Sequence, residues 1–168
     1  MNKSIDRLPT GTAAGEMDPR ERLAFRVAML SNMLSRWAAR SFAARHDIHL
    51  MDWRILAGLR NAGPATASEL CDFAVMDRGN ASRVVRRLLA RGLISQRQDP
   101  KDGRKTVLSL KARGRRLCDK AGDFVEHREA RLIGALNATE RRQFGKILTK
   151  LEAEARVMLG ESQAGGPD

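Results

Sequence analysis

This sequence is short of the residue types from which covalent and metal sites are built. Its 168 residues include two cysteines, three histidines and no tyrosine. Cys71 and Cys118 are too few for a disulfide framework, and this points to a reducing, cytoplasmic setting. No glycine-rich phosphate loop, HExxH zinc motif or serine nucleophile elbow occurs, and the histidines and cysteines form no recognisable triad. The expectation is a protein that is not an enzyme and needs no cofactor. No apolar run approaches the ~18 residues that span a bilayer. The first residues, MNKSIDRLPTGTAAGEMD, lack the apolar stretch of a secretory signal. A hydrophobic fraction of 42% and a charged fraction of 30% also argue against a membrane protein and a wholly disordered chain.

Acidic residues are scarce as well, 20 against 31 lysines and arginines, for a net charge of +11. The imbalance is local. Residues 77–116 hold 13 basic and three acidic side chains, a net of +10, while the remainder holds 18 and 17, a net of +1. A concentrated basic patch suits a polyanion such as nucleic acid.

The chain reads as five stretches. Residues 1–18 form an unstructured arm, 19–48 an N-terminal dimerisation helix, 49–116 a DNA-binding domain, 117–158 C-terminal dimerisation helices, and 159–168 a flexible tail. In the long first helix, Leu23, Val27, Leu30, Leu34 and Trp37 make one apolar line, with Phe25, Met29 and Met33 beside it. One line can be covered by its own domain; the other asks for a second copy of the chain. A second helix is expected over 52–61 with Asp52 as its N-cap. Asn61-Ala62-Gly63-Pro64 ends it. Thr66 and Glu69 then fit a capping box opening a short third helix. Asp77 caps a fourth over 78–91, closed by Gly92. Helix, tight turn, helix is the order of a helix-turn-helix. Two β-prone runs, 93–98 and 106–110, flank a polar loop and make a hairpin. A helix follows Lys111, and Thr139 is the expected cap of the last one.

The fourth helix carries Arg78, Asn80, Ser82, Arg83, Arg86 and Arg87 on its outward faces. A helix fits the DNA major groove, where Arg suits guanine and Asn suits adenine, and Ser suits a phosphate. The hairpin loop carries Lys101, Arg104 and Lys105, cations suited to a narrow minor groove. Asp102 is placed to hold the Arg104 guanidinium.

The run from Glu69 to Leu117 resembles the winged helix of MarR-family transcriptional regulators. The resemblance rests on Glu69-Leu70, Ser82-Arg83, Arg91-Gly92-Leu93-Ile94, the loop Asp99-Pro100-Lys101-Asp102-Gly103-Arg104 and the segment Leu108–Gly114. The order of flanking helices extends it to roughly residues 20–158. It implies a mainly α fold: a winged helix-turn-helix with a small β-hairpin, flanked by long N- and C-terminal dimerisation helices. It further implies a cytoplasmic homodimer, a repressor that reads a pseudo-palindromic double-stranded operator and answers a small organic ligand. Trp37, His46 and Trp53 lie where such a ligand pocket forms in the family, though ordinary core or interface packing is the commoner use of such residues. Cys71 and Cys118 are the candidates for a redox-responsive regulator of the same fold. The missing tyrosine removes the thiol-activating network that some redox members use. His46 and His49 with Asp47 offer too few ligands for a stable metal site, so no metal is assigned. A sequence-tolerant architectural DNA binder is the other alternative; it would share the charge but have no need of a wing.

Overall fold

The computed structural model describes residues 18–100 and 102–164. Part of the expected arm, part of the expected tail and Lys101 lie outside the described residues. A 3₁₀ turn, Pro19–Glu21, precedes α1 (Leu23–His46) and α2 (Leu50–Ala62). Then come β1 (Ala65–Thr66), α3 (Ala67–Ala74), α4 (Arg78–Ala90), β2 (Ile94–Gln98), β3 (Thr106–Leu110), α5 (Ala112–Ile133) and α6 (Ala138–Ala164). Two compact units divide the chain after Cys118, inside α5. The fold is the expected one, mainly helical with a small hairpin.

Local chemistry sets most of the boundaries in the first unit. Thr66 and Glu69 make the reciprocal capping box that opens α3: Glu69 Oε2 accepts the Thr66 N–H at 2.7 Å, and Thr66 Oγ1 accepts the Glu69 N–H at 3.3 Å. The Thr66 N–H and the Thr66 hydroxyl, which donates to the same carboxylate oxygen at 2.8 Å, favour the ionised form and hold Glu69 below its ordinary pKa. Asp77 caps α4 by accepting the Asn80 N–H at 2.8 Å. Gly92 takes φ +65° just past the end of α4.

Two expected caps are displaced. The N-cap of α2 is His49, and Asp52 sits at the third helical position, where its Oδ2 accepts the His49 N–H at 3.1 Å. The cap of α6 is Asn137, whose Oδ1 accepts from the Thr139 and Glu140 N–H groups at 2.9 and 3.0 Å. Glu140 Oε2 returns the favour to the Asn137 N–H at 2.8 Å. Asn137 thus leaves Thr139 inside the helix, and the rule that placed Thr66 and Glu69 describes Asn137 and Glu140 equally well.

The sheet has three antiparallel strands in the order β1-β3-β2. Ile94 faces Leu110 and Gln98 faces Thr106, which closes the hairpin; Ala65 faces Leu108. The two-residue β1 was absent from the sequence reading. Under the sheet, Ile55, Leu56, Leu70, Val84, Leu88, Leu93, Ile94 and Leu108 form one buried cluster with Cys118. Burial of this kind contributes about 1.5–3 kcal/mol per large apolar side chain and holds the helix-turn-helix to the hairpin. α5 enters against this layer at Gly114. A Cβ there would lie 2.2 Å from the Leu93 carbonyl oxygen, so only glycine fits.

Burial on α1 begins late. Only Ala38 and Phe42 are buried. Before that, apart from half-buried Leu34, both apolar lines are exposed from Leu23 and Phe25 to Met33 and Trp37, although one line was expected to be covered by its own domain. In the second unit, α6 exposes Phe144, Ile147, Leu148 and Leu151. No described helix is long and apolar enough to cross a membrane.

Candidate nucleic-acid interface

Helix α4 is amphipathic in the sense the periodicity predicts. Ala81, Val84 and Leu88 are buried, and Arg78, Ser82, Arg83 and Arg86 are exposed. Asn80 is half-buried at the first turn. The Asp77 cap fixes that turn, so Arg78, Ser82 and Arg83 project from a rigid helical start. A residue in the left-handed region, Val75 at φ 48°, joins α3 to α4.

Arg87 differs from its neighbours. Helical spacing groups it with the outward-facing cations, but its guanidinium turns to α2 and grips Asp52. Nε donates to Asp52 Oδ1 at 2.9 Å and to Oδ2 at 3.2 Å, and Nη2 donates to Oδ1 as well. The Asp52 side chain is fully buried. One turn on, Arg91 donates to the Asp47 carbonyl at 2.6 Å and to its carboxylate at 3.1 Å.

In the wing, Arg104, Lys105 and Thr106 are exposed. Asp102 steadies the loop by a route other than the expected one. Its Oδ1 accepts the backbone N–H of Arg104 at 3.1 Å in place of the guanidinium, and its Oδ2 lies 3.8 Å from Lys105 Nζ. The Asp99 N–H donates to the Lys105 carbonyl at 2.8 Å and closes the base of the loop. The wing is therefore built from its own backbone and Asp102, and the Arg104 side chain projects into solvent.

Of the three aromatic pocket candidates, the structure gathers two. Trp53 stacks on Phe42 with centroids 5.2 Å apart, and His46 lies 6.1 Å from the same ring. Phe42, the centre of this group, was not singled out in the sequence. Its i, i+4 spacing to His46 was the available signal. Trp37 lies further back on α1, 39% exposed. A cavity of about 470 Å³ was also missed. It lies between α3 and α4, lined by Ala67, Ser68, Cys71, Arg78, Ala81, Ser82 and Val85.

Both cysteines are buried free thiols. Burial, and secondarily Asp72, pushes the Cys71 thiol up, the opposite of what a thiolate sensor needs. Cys118 Sγ donates to the Leu56 carbonyl at 3.8 Å. Among the described residues, no group of three His, Cys, Asp or Glu side chains is placed to hold a metal ion.

A buried helix-turn-helix with a basic hairpin on its flank defines a winged helix. Residues 46–105 match the MarR family. The repressor NicR of Pseudomonas putida is 32% identical over 96 residues, 57% of this chain and 61% of that protein. The chain spans about three fifths of the length of the curated relatives it matches first. A MarR/EmrR family regulator from Acinetobacter sp. ADP1 superimposes with a TM-score of 0.78 at 24% identity, covering 83% of this chain and 99% of that one. BpsR of Bordetella bronchiseptica, whose DNA binding is regulated by 6-hydroxynicotinic acid, gives 0.64 at 25% identity, covering 76% and 98%. The winged-helix segment is thus similar in sequence to the MarR family, and the chain shares its fold with solved regulators of that family.

Proposed function

We propose that the chain is a cytoplasmic, sequence-specific DNA-binding transcriptional regulator. It represses as a homodimer and is released by a small organic effector. The observation that carries this reading is the exposed face of α4. It sets Arg78, Ser82, Arg83 and Arg86 on a capped, buried-backed helix, beside a wing bearing Arg104 and Lys105. In this reading Arg83 and Asn80 address base edges, Arg78, Ser82 and Arg86 hold phosphates, and Arg104 enters the minor groove with Lys105 near it.

Residues 49–116 then serve as the DNA-binding domain. Residues 19–48 and 117–158 supply the dimer, for which the apolar faces of α1 and α6 are the support. Two reading helices on a dimer set half-sites about one helical turn apart. The Trp53–Phe42–His46 group is the proposed effector region, and the regulated DNA binding of BpsR supports a ligand response of this kind.

A randomised duplex pool, enriched by the wild-type chain and sequenced, tests the reading. The enriched duplex is expected to bind ~10³-fold or more tightly than a scrambled duplex at physiological salt. Equal affinity for both would leave only a sequence-tolerant binder. Sedimentation as a monomer at micromolar concentration would remove the dimer. A ligand screen in which only thiol oxidants release the duplex would move the sensor to Cys71 and Cys118.

A further inference from the structure

We propose that Asp52 is the positioning residue of the reading helix, acting through Arg87. The inference rests on the DNA-reading role proposed for α4 and adds how that helix is aimed. Five arginines lie on α4 or at its end, and they divide by direction. Arg78, Arg83 and Arg86 are exposed. Arg87 and Arg91, one turn apart, reach back to the corner between α1 and α2.

That corner is built to receive them. Asp47 ends α1 in the left-handed conformation, its N–H bonded to the Phe42 carbonyl, and this turns its own carbonyl toward Arg91. Asp52 lies at the third position of α2, fully buried, with Oδ2 already taking the His49 N–H. Its remaining capacity is filled by the Nε and Nη2 fork of Arg87. A fork on a buried carboxylate fixes two angles as well as a distance, which a point charge cannot do. Arg87 follows Arg86 directly and is one turn from Arg83, so the angle set at Asp52 is also the angle at which the exposed arginines face outward. Apolar packing through Val84 and Leu88 allows α4 to roll; the Asp52 fork stops the roll.

The test uses the full chain, the duplex enriched by the wild type and a scrambled duplex, with folding of each variant checked by circular dichroism. Asp52→Asn and Arg87→Gln are each expected to weaken the enriched duplex about tenfold. They should leave the scrambled duplex and the salt slope unchanged. The double variant should be no worse than either single one, because both remove the same fork. Arg87→Lys keeps the charge and loses the fork, so it is expected to behave like Arg87→Gln. It also decides the matter if Asp52→Asn does not fold.

A phosphate contact predicts the reverse: Arg87→Gln would lower the salt slope by about one on both duplexes, and Arg87→Lys would bind normally. That result would overturn the positioning role while leaving the DNA-reading role standing. A wild-type chain that enriches no duplex would overturn the DNA-reading role itself.

Discussion

The two sides of α4 are chemically alike in sequence and opposite in use. Arg78, Arg83 and Arg86 stand on the exposed face, whereas Arg87 and Arg91 are spent on Asp52 and Asp47. Charge concentration locates the interface but does not say which cations are available to a partner. Each internal carboxylate that captures an arginine subtracts one from the apparent patch. It also converts that arginine from a contact into a fixture.

Removing the carboxylates that hold Arg87 and Arg91 gives the largest expected effect. Asp52 is fully buried, while the Asp47 carboxylate is 98% exposed. Asp52→Asn leaves the Arg87 fork without its charged partner and is expected to cost about 3 kcal/mol of stability, at the low end for a buried pair because Arg87 still reaches water. Asp47→Asn is expected to cost under about 1 kcal/mol, since the Arg91 bond to the Asp47 carbonyl survives. Denaturant melts of the two variants measure the gap. Equal costs would mean that the held side is anchored by apolar packing alone.

The second test is made on the reading side. Arg83→Ala should leave the melt unchanged and weaken the enriched duplex by about 2 kcal/mol, with relaxed preference at one base position. Competition binding against duplexes varied at each position reads this directly. A uniform loss on all duplexes would make Arg83 a phosphate contact.

The difference between the two sides of α4 was only half legible in the sequence. Caps and turns were legible where both partners are close in the chain: Thr66 with Glu69, Asp77 with Asn80, Gly92 after α4. The hairpin was legible because its two runs are β-prone and separated by turn residues. Asp52 was misread as a cap because its main partner, Arg87, lies 35 residues away. Helical periodicity places Arg87 one step from the exposed face, and only the fold shows the carboxylate that turns it inward. Strand β1 is two residues long and exists only because β3 returns to pair with it. Asn137 is a different kind of miss. Its partner Glu140 is three residues away, so the local rule fits Asn137 as well as it fits a cap at the Thr139 hydroxyl, and spacing alone does not choose between them.

A smaller effect sharpens the same contrast. Asp77 serves the first turn of α4 and nothing at its far end. Asp77→Ala is expected to cost about 1 kcal/mol. Amide exchange should quicken at Asn80 and stay slow at Leu88. Faster exchange along the whole helix would mean that α4 opens as one unit and that its two ends are not separately held.

The smallest expected effect concerns the turn that leads into the reading helix. Val75 sits at φ 48°, ψ 61°, a conformation costing an L-residue roughly 1–2 kcal/mol and disfavoured further by β-branching. The residue is 68% exposed, so little packing offsets the strain. Glycine adopts this conformation freely but gives up about 0.5–1 kcal/mol of chain entropy on folding. The net expectation for Val75→Gly is a gain of about 0.5 kcal/mol, a rise in melting temperature of about 1–2 °C. Binding of the enriched duplex should not change, because the turn keeps its path and the Asp52 fork keeps the angle of α4. A drop in affinity with a rise in stability would place part of the aiming of α4 in the strained turn, and would divide between Val75 and Asp52 a task that the geometry of the held side assigns to Asp52.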